Sequence, residues 1–435
     1  MTNDIAHESP PSQSKERISN EIGGTENTNE EATKFLKGWP LLILSSTLGL
    51  AIFLVTIEVT IVATSLNPIT DDLHAFDKTS WIITAYLVTY TSFHIISAKL
   101  SDIFGRKAAV ITSLCLFTLS SGACGASRNV TQLIILRAFQ GIGASGSYSV
   151  IVAIFFELVP PAQFARTTSL ISSIFALAFL LGPLLGGVIT QFSTWRWVFL
   201  LNVPAGSICV LGLAVTLPNH FPDQKRVTSQ PMKWTQPFSK SQLSRLDLFG
   251  TTLLLSASVL LVTALEQAGN PNPWGSLLII TCLLLSVLSW LCFFAWSKVS
   301  TKDGVARELV FPWRLIQTRF SVGLLITIFL TGMPLTVAII EIPLRFQAVN
   351  SLSPLQAGIR LLPYAVLNPL GSIIAPYAAK RFRVPPIYMM LTGAVIQVVG
   401  TALLSTASTS MVGIVPAETH VYEGLAGFGT GVNLA

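Results

Sequence analysis

Two charged side chains lie deep inside apolar segments, at positions suited to carrying a proton. Glu58 lies in the apolar run 41–64 and Arg137 in the run 131–155. A charge at the centre of a bilayer costs at least about 2.5 kcal/mol unless it is paired or hydrated. At about 1.5 Å per residue, Glu58 lies about 12 Å and Arg137 about 9 Å from the outer ends of their helices. The two side chains are therefore at similar depth and could meet. We expect Glu58 to exchange a proton with substrate binding and Arg137 to tune its proton affinity.

A polar turn between two apolar runs, KLSDIFGRK at 99–107, has the composition of a conformational latch. Gly105 supplies the backbone freedom that a tight turn between antiparallel helices requires. We expect Asp102 and Arg106 to bind each other and neighbouring helix ends, with Lys107 as a further latch residue.

The segment GPLLGG combines a helix-bending residue with small residues. Pro183 removes a backbone hydrogen bond and is expected to kink its helix. Gly182 and Gly186 are four residues apart, and with Gly187 they permit close contact with other helices.

Other polar and aromatic side chains of the apolar runs have ordinary structural explanations. Glu157 and Glu266 lie at helix ends, where we expect solvent to reach the carboxylates. Tyr148, Phe175 and Phe179 could line a cavity for an apolar substrate, but packing against lipid is the simpler expectation.

The elements that position these residues are expected to be membrane helices. Of the 435 residues, 51% are hydrophobic and only 11% are charged, with a mean hydropathy of +0.64. Ordinary soluble domains have about 25% charged residues. The composition therefore excludes a soluble globular enzyme and a disordered chain, and it indicates an all-α polytopic membrane protein in a lipid bilayer.

Apolar runs divide the chain into eleven complete helices and the start of a twelfth, which begins near residue 421. The predicted domains are a disordered cytoplasmic tail at 1–37, an N-terminal six-helix bundle at 38–217, a basic cytoplasmic loop at 218–247, two linker membrane helices at 248–296, a cytoplasmic loop at 297–319 and an incomplete C-terminal bundle at 320–435.

The charge distribution predicts how the chain crosses the membrane. The formal net charge is +6, and most of the 27 Lys and Arg residues fall in the tail and in alternate loops. This pattern predicts a cytoplasmic N-terminus and explains the positive charge without nucleic acid. The only N-x-S/T sequon, at Asn129, falls in an outer loop of only a few residues, which makes it a candidate for glycosylation but a poor acceptor.

Several reaction classes lack their required motifs. The five cysteines lie in apolar runs without a C-x-x-C pair, so neither a disulfide framework nor a metal site is supported. The sequence has no phosphate-binding loop, H-E-x-x-H or His-rich box, which disfavours ATP-driven transport and a membrane enzyme. No cofactor is expected.

These motifs resemble those of the major facilitator superfamily over about residues 38–435. The polar turn is similar to the family loop G-x-L-x-D-r-x-G-r-[KR], with Ala98 in place of the first glycine. The segment LRAFQGIG at 136–143 resembles the R-x-x-Q-G motif that the family associates with proton coupling. The GPLLGG segment resembles the antiporter signature G-x-x-x-G-P-x-x-G-G, with Ala178 at the first glycine.

Two further segments resemble the fourteen-helix drug:proton antiporter branch. They are IEVTIVATSLNP at 57–68, in which Glu58 replaces the usual aspartate, and WRWVFLLNVP at 195–204. The segment PLRFQ at 343–347 extends the likeness to fungal multidrug and toxin exporters.

The resemblance implies a proton-coupled exporter of amphipathic small molecules such as drugs, toxins or secondary metabolites. Alternating access by two six-helix bundles would be driven by the proton gradient. A monomer is expected, with the plasma membrane favoured over the vacuole. The alternatives are a selective transporter of a basic amino acid or an iron chelate, a membrane enzyme, and a transport-dead truncated product.

The resemblance also sets an expectation for length. Fourteen helices are implied, whereas the chain has eleven and the segment 421–435. Those residues span about 22 Å of a hydrocarbon core about 30 Å thick, so the sequence is expected to be C-terminally incomplete.

Overall fold

The computed structural model describes residues 38–74, 78–160, 163–218, 221, 247–269, 272–302, 310–311, 313–406 and 416–434. The predicted tail at 1–37 lies outside these ranges, as do most of the basic loop 218–247 and part of the loop 297–319.

Within these ranges the regular structure is helical apart from one isolated β-bridge between Ala268 and Asn272. The helices are α1 Trp39–Asp72, α2 Thr79–Phe104, α3 Arg106–Gly125, α4 Val130–Glu157, α5 Phe164–Phe192, α6 Arg196–Leu200, α7 Asn202–Thr216, α8 Leu248–Gln267, α9 Leu277–Lys302, α10 Arg314–Gln317, α11 Arg319–Ala348, α12 Pro354–Arg360, α13 Leu362–Phe382, α14 Pro386–Thr406 and α15 Ala417–Leu434.

Ten helical segments in the described part of the chain are long and apolar enough to cross a membrane. A further helix, α11, is apolar over the shorter stretch Arg319–Leu335. Large apolar side chains also remain on the surface, as on α9, where Leu277, Leu284 and Leu291 are exposed. Such a surface is stable in lipid, where helices satisfy their own backbone hydrogen bonds. The predicted all-α polytopic membrane fold is confirmed.

Local sequence determines several helix ends. The Asn129 side chain accepts a hydrogen bond from the Gln132 amide at 2.8 Å and caps α4. Ser353 and Gln356 form a reciprocal capping box at the start of α12. The apolar run predicted as one helix from residue 356 is divided at Leu361 into α12 and α13.

The first half of the chain, α1–α7, and the second half, α11–α15, use similar packing. Helix α4 packs extensively against α2 and α3, and α15 packs extensively against α13 and α14. Helix α5 contacts α12 and α13, which joins the two halves, and α8 packs against α9 and α2.

A buried apolar cluster lies among α1–α6. It includes Ile57 and Ile61 of α1, Leu133 of α4, and Val198 and Phe199 of α6. Glu58 follows Ile57 directly in α1 and is itself completely buried.

Candidate coupling site

Glu58 and Arg137 form a buried ion pair. The Arg137 Nη1 atom lies 2.6 Å from Glu58 Oε1, and both side chains are almost completely shielded from solvent, with relative exposures of 1% for Arg137 and 0% for Glu58. The contact joins α1 to α4, as the distances along the two helices predicted. Two charges removed from water are tolerated only when they are paired and well hydrogen-bonded.

Arg137 makes further contacts with α2 and with its own helix. Its Nε donates to the carbonyl oxygen of Ile82 at 3.1 Å, and Nη1 also donates to Gln140 Oε1 at 2.8 Å. The guanidinium carbon lies 4.3 Å from the centre of the Tyr86 ring and 5.7 Å from that of Phe199. Aromatic faces attract cations, so both rings support the charge of Arg137.

Asn202 and Ser121 complete the site. Asn202 lies in the family-like segment 195–204, but neither residue was among the predicted site residues. The Asn202 side-chain amide donates to Glu58 Oε2 at 2.5 Å and to Ser121 Oγ at 2.9 Å. Gln140 donates to the same Ser121 oxygen at 3.0 Å. We call Glu58, Arg137, Gln140, Asn202 and Ser121 the coupling network. It connects α1, α3, α4 and α7, and both carboxylate oxygens have partners.

The chemistry available to the coupling network is proton exchange at the Glu58 carboxylate. A proton on this carboxylate would remove its charge and weaken the attraction to Arg137, which is strong in a medium of low polarity. Arg137 would keep its bonds to Ile82 and Gln140, so protonation would chiefly loosen the attachment of α1 to α4.

The polar turn at 99–107 makes the contacts expected of a latch. Gly105 has φ +93°, a backbone conformation that favours glycine. Arg106 Nη1 lies 2.6 Å from Asp102 Oδ1, and Arg106 Nη2 lies 2.7 Å from Glu157 Oε1. Lys107 donates to the carbonyl oxygen of Ala214 at 2.7 Å. The turn therefore bridges the ends of α2, α3, α4 and α7.

The Glu157 side chain is less exposed to solvent than the sequence predicted. Its side chain is only 25% exposed, because the end of α4 lies beside the start of α3 and the carboxylate binds Arg106. Distant sequence segments supply the two partners, so no local pattern in α4 revealed the contact.

The GPLLGG segment packs α5 against α1 and α12. A Cβ atom at Gly182 would overlap the Thr60 side chain, and one at Gly186 would overlap Thr64, both on α1. A Cβ atom at Gly187 would lie 2.9 Å from the Leu355 amide nitrogen at the start of α12.

Around Pro183, α5 remains one continuous helix through Phe192, and Gly358 of α12 packs against the proline ring. The segment therefore joins the two halves. Thr60 lies two residues from Glu58, so this packing and the coupling network involve the same part of α1.

A row of rings extends from the coupling network towards the second half. Its successive ring centres, between 5.8 and 6.2 Å apart, belong to Tyr86, Tyr90, Tyr148, Phe175 and Phe179. Phe179 packs against a cluster of the second half that includes Tyr364 and Ala426. We call these five rings the aromatic row. From the sequence, Tyr148, Phe175 and Phe179 were expected to pack against lipid. In the structure their rings also pack on one another.

An exposed carboxylate at the C-terminal end of α1 binds the start of α6. Asp72 Oδ2 accepts hydrogen bonds from the Trp195 indole at 2.9 Å and from Arg196 Nη1 at 3.1 Å. The bond from Trp195 and that from Arg196 lower the pKa of Asp72 below its usual value.

A family model described as Major Facilitator Superfamily matches residues 48–435. The chain belongs to this superfamily. It is therefore an integral, multi-pass membrane protein of a family of transporters.

Relatives within the superfamily include transporters and efflux pumps. The chain is 42% identical to the MFS-type transporter FPY5 of Fusarium mangiferae over 95% of this chain and 68% of that protein. It is 30% identical to the efflux pump FUS6 of Gibberella fujikuroi, over 80% of this chain and 59% of that protein. It is 29% identical to multidrug resistance protein 3 of Bacillus subtilis, over 94% of this chain and 73% of that protein. The chain thus spans only part of each relative's length.

A solved superfamily structure shows the same fold. The xylose transporter XylE of E. coli, in a partially occluded inward-open conformation, matches with a TM-score of 0.55 and 14% identity. The match covers 91% of this chain and 83% of that one. The major facilitator fold that the motifs implied is confirmed.

Asn129 lies at the start of α4, where its side-chain oxygen is engaged as the helix cap. Its glycosylation stays a prediction, as do the proton and latch roles of the other sequence-predicted residues.

Proposed function

We propose that this chain carries the machinery of a proton-coupled exporter of amphipathic small molecules, in the fourteen-helix drug:proton antiporter branch. The observation that supports the proposal most strongly is the coupling network, in which an arginine and an amide bind the two oxygens of a membrane-embedded carboxylate. An acid in this position can alternate between a charged, paired form and a neutral, released form.

Protonation of Glu58 is the proposed coupling step. A proton from the side with the higher proton concentration binds the carboxylate, and an O–H bond replaces the attraction to Arg137. The freed α1 then shifts against α4. Because α1 also packs on α5 through Thr60 and Gly182, the shift reaches the contact between the two halves. Substrate binding on the opposite side favours the paired form and releases the proton.

The aromatic row is the proposed contact surface for the apolar part of the substrate. Its rings extend from Tyr86, which lies under Arg137, to Phe179, which packs on the second half. A flat apolar molecule lying on these rings would be close to the coupling network and to the element that moves. Stacking of aromatic groups contributes about 0.5–1.5 kcal/mol per pair beyond burial.

Export rather than uptake is proposed for two reasons. The GPLLGG segment resembles the signature of exporting facilitators, and FUS6 and the Bacillus relative are named for efflux and drug resistance. We also propose a monomer in the plasma membrane with a cytoplasmic N-terminus, driven by protons without a cofactor.

The test is expression of the chain in a cell strain that lacks its own exporters, followed by the accumulation of a panel of amphipathic compounds. The chain should lower the accumulation of several compounds, and a protonophore should abolish the difference. Glu266→Gln, which changes a carboxyl group at the end of α8, is the matched control and should behave like the wild type.

Glu58→Gln should abolish the efflux, whereas Glu58→Asp should retain it. Undiminished efflux by Glu58→Gln, or efflux that the protonophore does not affect, would overturn the proposal. Transport of one solute class alone would identify a selective transporter instead.

A further inference from the structure

Glu423 of α15 occupies the register that Arg137 has in α4. Arg137 lies four residues before Gly141, and Glu423 lies four residues before Gly427. A Cβ atom at Gly141 would overlap the carbonyl oxygen of Tyr86, and one at Gly427 would lie 2.5 Å from the carbonyl oxygen of Tyr364.

The next glycine of each helix supports the same register. A Cβ atom at Gly143 would overlap the backbone nitrogen of Phe117 in α3, and one at Gly429 would overlap that of Gln397 in α14. Helix α15 therefore packs on α13 and α14 as α4 packs on α2 and α3. The second half places an acid where the first half places a base.

The surroundings of Glu423 differ sharply from those of Glu58. Both carboxyl groups have no exposed surface. Glu58 has a partner at each oxygen, whereas Glu423 Oε1 has none within the described part of the chain. Its Oε2 lies 3.4 Å from His420 Nδ1 on the same helix.

The charged and titratable groups around Glu423 are few. Arg360, at the end of α12, acts on it electrostatically without forming a close ion pair in the described structure. The Tyr364 hydroxyl of α13 lies 3.3 Å from Thr430 Oγ1.

Helix α14 has no Asp, Glu, Lys, Arg or His. Helix α11 carries Glu341 and Arg345, and Arg345 donates to the carbonyl oxygen of Leu404 at 2.9 Å.

We propose that Glu423 is a second proton-binding site, and that its carboxyl group carries a proton in this conformation. An ionised carboxylate with an unpartnered oxygen in a buried site is unstable, and a bound proton removes that charge. The proton comes from water, forms an O–H bond at the carboxyl group and leaves when Arg360 pairs with it in another conformation. The use of this proton in transport rests on the proposed function, whereas its binding does not.

The experiment is infrared spectroscopy of the purified chain in lipid nanodiscs near neutral pH, which detects the C=O stretch of protonated carboxyl groups. The wild type should show this band and Glu423→Gln should lose it. Glu418→Gln is the matched control, because Glu418 is an exposed acid on the same helix. Glu58→Gln should retain the band, since Glu58 is ionised when it is paired.

Two further variants keep the test decisive if Glu423→Gln fails to fold. Glu423→Asp should move the band to a different frequency. Arg360→Gln should make the band persist to higher pH, because a nearby cation favours the ionised form. A band that neither variant alters, or the absence of any band in the wild type, would overturn the assignment.

Efflux lost in Glu58→Gln together with an unaltered band in the Glu423 variants would refute only this second site. Undiminished efflux by Glu58→Gln, together with a band that the Glu423 variants remove or shift, would refute only the proposed function.

Discussion

At the scale of single residues, the most informative feature is a buried charge with all its partners in place. The contact between Glu58 and Arg137 was predictable from the sequence because helical rise converts residue counts into depth. Asn202 was not predictable, although this residue lies in a family-like segment. An asparagine at the start of an apolar helix resembles an ordinary cap, and only the packing of α7 on α3 brings its amide to the carboxylate.

The ion pair should make a measurable contribution to stability. Removing one member leaves the other charge buried and alone, which typically costs about 3–5 kcal/mol. We therefore expect Glu58→Gln and Arg137→Gln each to lower the thermal unfolding temperature of the purified chain strongly. The double variant should be more stable than either single variant. Additive losses in the double variant would show that the two charges do not depend on each other.

At the scale of helices, apolar length predicted where the membrane helices lie, because lipid requires long apolar helices. The division at Leu361 was not predicted, because the run 356–378 is apolar enough overall to suggest one helix despite Arg360 and Pro363. The contact between Arg106 and Glu157 also depends on the approach of two helix ends, about 50 residues apart in sequence, which no local pattern records.

The small residues of α5 should be intolerant of side chains. Gly182→Ala places a methyl group on Thr60, and overpacking of this kind costs about 1–3 kcal/mol. Gly323→Ala on α11 is the matched control, because a Cβ atom there meets nothing within 4 Å. In thermal unfolding, Gly182→Ala should lower the midpoint, while Gly323→Ala should leave it unchanged or raise it. Equal effects would show that α1 and α5 are not closely packed at this point.

At the scale of the whole molecule, the two halves share a packing plan and differ in their charges. In the first half a base on α4 meets an acid on α1, whereas the second half has an acid, Glu423, in the place of that base. The halves meet where α5 contacts α12 and α13, and the α5 glycines at this contact adjoin the helix that carries Glu58. A change of charge at Glu58 is thus placed to alter the contact between the halves.

Reconstitution in proteoliposomes with an imposed pH gradient reveals whether Glu58 couples proton movement to transport. The wild-type chain and Glu58→Asp should accumulate a transported compound against its concentration gradient. Glu58→Gln should only equilibrate the compound between the two sides. Undiminished accumulation by Glu58→Gln under the same gradient would contradict the account.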